Sequence, residues 1–244
     1  MIAALQWLAL GLCLASAIWR LPAALKGRNA GLFWVFVLLA LAVGLSLPTI
    51  YLPVDGVLGG RNLANLLLRF ALYAIFYILA TKVAAAYRAP RSGRLVRGPI
   101  GIGALTVVSV GTVVSFLLSD LPVSSAGLAG YDQFTVSLYI VAGRLYPAYA
   151  AACLIWPTAQ AVRSSRLRPE RAAAGIICAS FCMVVLLTVL QLASFRLDVP
   201  LAILTFMNLI SYTAIIFLAV GLALIWISVR AQRRQAAKGA LAQA

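Results

Sequence analysis

The residues best suited to chemistry in this chain lie inside its apolar segments, and the foremost is Arg144. It stands near the middle of an apolar run from Thr135 to Pro157. A helix of about 20 mostly apolar residues is long enough to cross a bilayer. A charge at the centre of such a helix costs roughly 2.5–3.5 kcal/mol by insertion scales, so it needs a polar partner or a ligand.

Gly143 and Pro147 stand on either side of this arginine. Proline has no N–H to donate to the carbonyl four residues earlier, here that of Gly143, and its ring crowds that carbonyl. The sequence therefore predicts a hinge at Gly143 and Pro147, with a polar group close to the free carbonyl.

A second arginine, Arg69, lies inside another apolar run, and further polar side chains gather in the same halves of their runs. Guanidinium groups bind carboxylates and phosphates through two parallel hydrogen bonds. We therefore predict an outward-facing pocket around Arg69 and Arg144 that binds an anionic or lipid-like ligand. The other lining residues that we predict are Asn65, Tyr139, Gln191, Asn208 and Tyr212.

The same two arginines could instead be satisfied within the protein. Buried charges in membranes usually pair with acidic groups or with backbone carbonyls. Ligand binding and internal pairing both remain open at this stage. The candidate internal partners are the carboxylates of Asp55, Asp120, Asp132 and Asp198 and the carbonyl of Gly143.

Composition places the whole chain in a membrane. The mean hydropathy is +1.03, and only 10% of the residues are charged, whereas soluble domains carry about 25%. We predict an all-α polytopic membrane protein, with a single bundle of seven transmembrane helices over residues 1–229 and a short basic tail, 230–244. The predicted spans are residues 2–19, 31–51, 62–87, 99–119, 135–157, 175–195 and 201–228.

The charged connectors predict the orientation. Sixteen of the twenty basic residues fall on one side of the predicted bundle, and four of the five acids fall on the other. Because positive residues stay in the cytoplasm, we expect the N-terminus outside and the C-terminus inside, as in a multi-pass plasma-membrane protein. The net charge of +15 is therefore attributed to topology rather than to nucleic-acid binding. The arginine-rich loops could also bind anionic lipid heads or a cytoplasmic protein partner.

Enzymatic interpretations lack the necessary residues. The chain has no His, and Glu170 is its only Glu, so metal-assisted hydrolysis and His-based acid–base catalysis have no obvious groups to use. The four cysteines lie inside apolar runs, where free Cys is usually a packed side chain. We predict no catalytic residue, no metal site and no cofactor.

The layout of the chain resembles a known family. The N-out and C-in arrangement, the Asn62-Leu63-Ala64 start of the third run and the arginine-rich inner loops are similar to an uncharacterised actinobacterial family of seven-helix integral membrane proteins. Its members are often labelled as transporters and are found beside helix-turn-helix regulators. The resemblance covers roughly residues 1–230 and carries over no functional residue.

Three functions are compatible with these patterns. The first is a non-enzymatic receptor-like or regulatory membrane protein that binds its ligand between Arg69 and Arg144 and signals to a cytoplasmic partner. The second is a small-solute transporter or transporter subunit, with Gly143 and Pro147 as its gate. The third is a structural subunit of a membrane complex. The apolar inner halves of the runs favour binding over transport.

Overall fold

The computed structural model of the chain describes residues 2–27, 30–128, 131, 133–165, 167–194 and 201–241. Within these ranges the regular structure is helical and no strand occurs. The helices are α1 (Ile2–Leu25), α2 (Ala30–Gly44), α3 (Pro48–Val57), α4 (Leu63–Ala86), α5 (Pro90–Arg97), α6 (Pro99–Leu117), α7 (Phe134–Ser164), α8 (Arg168–Ser194) and α9 (Leu201–Leu241), with a 3-10 turn at Ala126–Leu128.

Six of the described helices, α1, α4, α6, α7, α8 and α9, are long and apolar enough to cross a membrane. Helices α2 and α3 pass the same test only as a pair, and the chain bends by 97° between them. The count is therefore six spans, or seven if the bent pair is one broken span. The prediction of an all-helical, multi-pass membrane protein is confirmed at this level.

The predicted span 31–51 is the one that the structure changes most. Helix α2 ends at Gly44, and Pro48 starts α3. Proline suits the first turn of a helix, because the N–H that it lacks would be unpaired there. The fifteen residues of α2 measure about 22 Å, which is less than the roughly 30 Å of a hydrocarbon core. This segment is thus a broken helix rather than one continuous rod.

Segments predicted as connectors are also partly helical. Helix α5 fills the link between the third and fourth predicted spans, and α8 begins at Arg168 rather than at residue 175. Helix α9 continues to Leu241, through most of the predicted tail. The hydrophobic run of each segment sets where a helix crosses lipid, but it does not set where the helix stops.

Six helices form a closed ring. Helix α1 packs against α2 and α9, α2 packs against α4, α4 against α7, α7 against α8, and α8 against α9. Helix α6 packs on α7 and α4, and α5 contacts α4, α6 and α7. The largest apolar core lies among the ring helices and includes the buried Phe36, Ile75, Tyr146 and Phe181.

The two ends of the bundle differ in their charged residues. We call the end where α4 leads into α5 and α6 the basic end, because Arg88, Arg91, Arg94 and Arg97 lie there. The other end, which holds α3 with Asp55 and the loop after α6 with Asp120, is called the acidic end.

Two hydrogen bonds give the relative direction of the first and last ring helices. The amide of Gln6 donates to the hydroxyl of Tyr212 at 2.6 Å, and the guanidinium of Arg20 donates to the carbonyl of Leu222 at 3.0 Å. Later residues of α1 thus contact later residues of α9. The two helices run in the same direction.

A polar network around Asp55 fixes the acidic end. The fully buried carboxylate of Asp55 accepts hydrogen bonds from the backbone N–H of Asn62 at 2.9 Å and of Ala64 at 3.0 Å. It also accepts one from the hydroxyl of Ser124. Asn62, the residue before α4, makes no side-chain capping bond of its own. Asp55 therefore supplies the acceptor that satisfies the first N–H groups of α4.

Two asparagines extend this network to the loop between α6 and α7. The Asn62 amide donates to the carbonyl of Val123 at 2.8 Å, and its oxygen accepts from the N–H of Ser125 at 2.8 Å. The Asn65 amide donates to the Tyr51 hydroxyl at 2.7 Å and to the carbonyl of Ser125 at 3.0 Å. Helix α3, the start of α4 and this loop thus form one connected cap.

Replacing Asp55 by Ala should destabilise the protein by about 1–3 kcal/mol, because buried N–H groups and a hydroxyl would lose their acceptor. Asp120→Ala is the matched control. Asp120 is exposed, and replacing it should alter the free energy of unfolding by no more than about 0.5 kcal/mol. Thermal unfolding of the two purified variants in the same detergent measures the difference. Equal stability of the variants would contradict the capping role of Asp55.

Candidate functional site

A cavity of about 170 Å³ lies inside the ring and touches five of its six helices. Most of its wall is aliphatic. Its polar side chains come from α4, α7, α8, α9 and the break after α2. They are Ser46, Arg69, Arg144, Ser180, Thr188, Ser211 and Tyr212.

Both arginines singled out in the sequence line this cavity. Arg144 stands ten residues after the start of α7 at Phe134, which is roughly 15 Å along the helix. That depth is about half of a hydrocarbon core. The structure therefore brings Arg69 and Arg144 together deep in the bundle, as the pocket hypothesis requires, and ligand binding itself stays a prediction.

The Arg69 side chain fills a slot on α7. Its Cζ lies 5.3 Å from the centre of the Tyr139 ring, within the range of a cation–π contact. On its other side it lies against Gly143. A Cβ added at Gly143 would come within 2.5 Å of the Arg69 Cδ and 2.6 Å of its Nε. The present position of the Arg69 side chain is therefore compatible with glycine at position 143, and a larger residue there would require Arg69 to move.

Arg144 has a buried polar atom that the described residues leave unsatisfied. Its Nη1 is buried and has no hydrogen-bond partner in the described part of the chain. Arg69 and Arg144 also repel each other electrostatically. Since an arginine keeps its proton in proteins, this group holds a donor and a positive charge that an anion in the cavity would satisfy.

Of the four acidic partners predicted from the sequence, the two that the structure describes do not neutralise these arginines. The carboxylate of Asp55 is occupied by Asn62, Ala64 and Ser124, and Asp120 is exposed at the acidic end. Asp132 and Asp198, the other two predicted partners, lie outside the described residues. Asp55 therefore caps the start of α4 and does not pair with Arg69 or Arg144.

The predicted hinge adjoins the cavity. Gly143 and Pro147 both line it, and α7 runs without interruption from Phe134 to Ser164. Because Pro147 lacks an N–H, the carbonyl of Gly143 has no i+4 donor in this helix. Tyr73 holds the preceding turn in place, since its hydroxyl bonds Thr112 at 2.6 Å and the carbonyl of Ala142 at 3.4 Å. A hinge motion at this point stays a prediction.

A polar junction lies beside the cavity where α1, the α2–α3 break and α9 meet. Tyr212, a predicted site residue, lines the cavity. Its hydroxyl accepts from Gln6 at 2.6 Å and donates to the Ser46 hydroxyl at 3.2 Å. The Ser46 hydroxyl in turn donates to the carbonyl of Val43 at 2.6 Å. Tyr212 is therefore both a wall of the cavity and a clamp on the α2–α3 break.

The remaining predicted site residues lie outside the cavity lining. Asn65 is buried in the acidic-end cap, and Tyr139 stands under Arg69. Asn208 is exposed on α9. Gln191 bonds the hydroxyl of Ser194 at 3.3 Å, in the last turn of α8. The direction in which each of these side chains points was not predicted.

The part of the cavity wall that α8 contributes was not predicted from the sequence. Ser180, Val184, Leu187 and Thr188 all line the cavity. Their spacing of four, seven and eight residues marks one face of a helix. Ser180 also donates to the carbonyl of Ala214 on α9 at 2.8 Å. The two hydroxyl residues at this spacing were the signal that could have identified the face.

The charged groups of the cavity lining are the guanidinium groups of Arg69 and Arg144. In the described residues, no group of three or more His, Cys, Asp or Glu side chains is placed to hold a metal ion. Comparison of the chain with protein-family models, with curated proteins and with solved structures finds no match. A function for this protein therefore has to be inferred from the geometry of the cavity.

Gly143→Ala should displace Arg69 from the ring of Tyr139. Losing a desolvated cation–π contact costs about 2 kcal/mol, while Ala gains about 1 kcal/mol over Gly in a helix, so a net loss of about 1 kcal/mol is expected. Gly103→Ala on α6, where the added Cβ meets open space, is the control and should not destabilise. Thermal unfolding in detergent compares them. Equal stabilisation by both changes would show that Arg69 does not need the slot.

Proposed function

We propose that this protein is a non-enzymatic, receptor-like membrane protein that binds a small anion between Arg69 and Arg144. The observation that carries the proposal is the buried Nη1 of Arg144, which lacks a partner among the described residues and belongs to a side chain lining the cavity. A buried, unpaired donor is costly. An anionic ligand would remove that cost and the repulsion between the two arginines together.

The cavity also suggests the class of ligand. Apart from its polar groups the wall is built from side chains such as Leu39, Leu72, Phe76 and Leu218. An apolar cavity of about 150 Å³ can hold a benzene molecule, so this cavity of about 170 Å³ has room for a ligand of similar size. We propose a short amphiphilic carboxylate, with its carboxylate on the arginines and its hydrocarbon against the aliphatic wall.

The orientation forms part of the proposal. Helices α1 and α9 run in the same direction, which requires an odd number of crossings between them. Counting α2 with α4, α6, α7 and α8 supplies five, and so supports seven crossings in all. The positive-inside rule then places the basic end in the cytoplasm and the acidic end outside, in the plasma membrane. The ligand would reach the cavity from the acidic end.

Helix α7 offers a route for the signal. It carries Arg144 and Pro147 at the cavity and reaches Arg163 at the basic end. Two residues after Pro147, the hydroxyl of Tyr149 donates to the carbonyl of Leu95 on α5 at 2.7 Å. A ligand that changes the tilt of α7 at Pro147 would therefore shift α5, where a cytoplasmic protein partner would detect the change.

A transporter is the second candidate, and one observation favours it. The α2–α3 break lines the cavity at Ser46. Discontinuous helices at a central binding site are typical of secondary transporters. In this alternative the Gln6–Tyr212–Ser46 junction would act as a gate.

Ligand binding is tested by thermal stability with hexanoate and with hexanamide, its neutral counterpart. A ligand that binds only the folded state adds about 2.7 kcal/mol at a concentration of 100 times its Kd. Hexanoate should stabilise the wild type and hexanamide should not. Arg144→Gln should abolish the response. Arg61→Gln, which removes an exposed charge outside the cavity, should retain it.

Two results would contradict this binding site. One is equal stabilisation by hexanoate and hexanamide, and the other is an unchanged response in Arg144→Gln. If Arg144→Gln fails to fold, Arg144→Lys provides the second test. It keeps the charge but loses the bidentate geometry, so hexanoate should stabilise it less than the wild type.

Proteoliposomes separate the receptor from the transporter. The receptor predicts binding of hexanoate without protein-dependent flux, whereas the transporter predicts flux that Arg144→Gln removes. A structural subunit would show neither binding nor flux.

A further inference from the structure

A second cavity lies at the basic end, between the last turns of α4 and the short helix α5. We call it the α4–α5 groove. Its volume is about 730 Å³, and its lining includes Arg88, Arg94 and Arg97 but no carboxylate. Three guanidinium groups around one concave surface produce a local positive potential that attracts anions.

The groove has a fixed wall. The N-terminal proline of α5, Pro90, suits a helix start, and Ser92 and Val96 turn the buried side of the helix toward the bundle. The Tyr149 hydroxyl bonds the carbonyl of Leu95 at 2.7 Å and so ties α5 to α7. Helix α5 is thus anchored along one side, which leaves Arg94 and Arg97 exposed.

The turn from α5 into α6 depends on glycine. A Cβ at Gly98 would collide with the carbonyl oxygen of Arg94, and one at Gly101 would collide with the carbonyls of Leu95 and Val96. These backbone atoms cannot move aside as a flexible side chain can. The close turn sets the position of the arginine-bearing helix next to the end of α4.

Arg88 enters the groove from a left-handed backbone conformation. Its φ is +50°, in the left-handed region that non-glycine residues rarely adopt. This residue ends α4 in a Schellman motif, in which the N–H of Ala89 donates to the carbonyl of Ala84 at 2.8 Å and the N–H of Arg88 donates to that of Ala85 at 3.2 Å. This conformation takes the chain from α4 into α5 while the side chain of Arg88 lines the groove with the other two arginines.

The position of the groove indicates the source of the anion. It lies where the membrane-spanning α4 ends at Ala86 and the membrane-spanning α6 begins at Pro99, which is the level of lipid headgroups. Arginine binds phosphate oxygens through two parallel hydrogen bonds. Ala84, Ala85 and Gly93 make the rest of the lining small, which leaves room for the glycerol portion of a lipid.

We propose that the α4–α5 groove binds the phosphate headgroup of an anionic glycerophospholipid from the surrounding leaflet. Arg88, Arg94 and Arg97 hold the phosphate, and the small residues accept the glycerol. This site is separate from the cavity of Arg69 and Arg144 and does not depend on it. It differs from general attraction of a basic surface to the membrane, because it assigns the effect to three particular arginines.

The chain offers a charge-matched control. Arg91 lies on the same helix as Arg94 and is exposed, but it does not line the groove. Arg163 and Arg168, at the same end of the bundle, are also exposed and outside it. A groove variant combining Arg88→Gln, Arg94→Gln and Arg97→Gln therefore loses the same charge as a control combining Arg91→Gln, Arg163→Gln and Arg168→Gln.

The experiment uses the full chain in nanodiscs of phosphatidylcholine, with and without phosphatidylglycerol. Native mass spectrometry measures retained phosphatidylglycerol, and thermal unfolding measures the stability that this lipid adds. Because each groove arginine is expected to make charge-assisted hydrogen bonds to the phosphate, the groove variant should bind phosphatidylglycerol ~100-fold more weakly. The control variant should bind it within a few-fold of the wild type.

Equal loss in both triple variants would overturn the proposal, since only the total charge would then matter. No loss in the groove variant would overturn it as well. Equal stabilisation of the wild type by soluble glycerol phosphate would assign the groove to a free phosphate ester instead of a lipid. If the groove variant does not fold in phosphatidylcholine alone, Arg94→Gln is compared with Arg91→Gln, and only Arg94→Gln should weaken retention.

Discussion

The rest of this structure depends on two arginines, Arg69 and Arg144, that lie within an apolar ring of helices. Neither Asp55 nor Asp120 neutralises them. Arginine does not give up its proton inside a protein, and a charge at bilayer depth carries a cost of several kcal/mol. Arg69 recovers part of that cost on the ring of Tyr139. Arg144 keeps a buried donor without a partner in the described chain, and this donor is the basis of the proposal that an anion binds in the cavity.

Several neighbouring residues contact or adjoin the two arginines. The side chain of Arg69 lies against Gly143, in the space that a Cβ would occupy. Pro147 frees the carbonyl of the same glycine, and Tyr73 fixes the turn before it through Thr112 and Ala142. The acidic-end cap sets the starting point of α4 through Asp55 and with it the depth of Arg69. The cap at Asp55, the position of Arg69 and its contact with Gly143 are thus linked through α4.

The sequence predicted the apolar runs, the helical class and the meeting of Arg69 with Arg144, because hydrophobicity and intramembrane charge are strong local signals. It did not predict the role of Asn65, because a side chain at the right depth can point into a cap as well as into a cavity. Asn208 and Gln191 show the same limit, since helix rotation depends on packing partners that one chain's pattern does not specify. The α2–α3 break was not predicted, because a proline near the end of an apolar run, as Pro48 is, also suits a simple helix terminus. The slot at Gly143 required knowing that α4 and α7 are neighbours.

The closure of the ring has a consequence for biosynthesis. The cavity is complete only when α9 packs against both α1 and α8, and α9 is the last ring helix to leave the ribosome. Until then a nascent chain carries Arg69 and Arg144 in a bundle with one side open toward lipid. The insertion machinery must shield those charges until α9 has been inserted. The cavity around the two arginines is therefore expected to close only after α9 has packed against its neighbours.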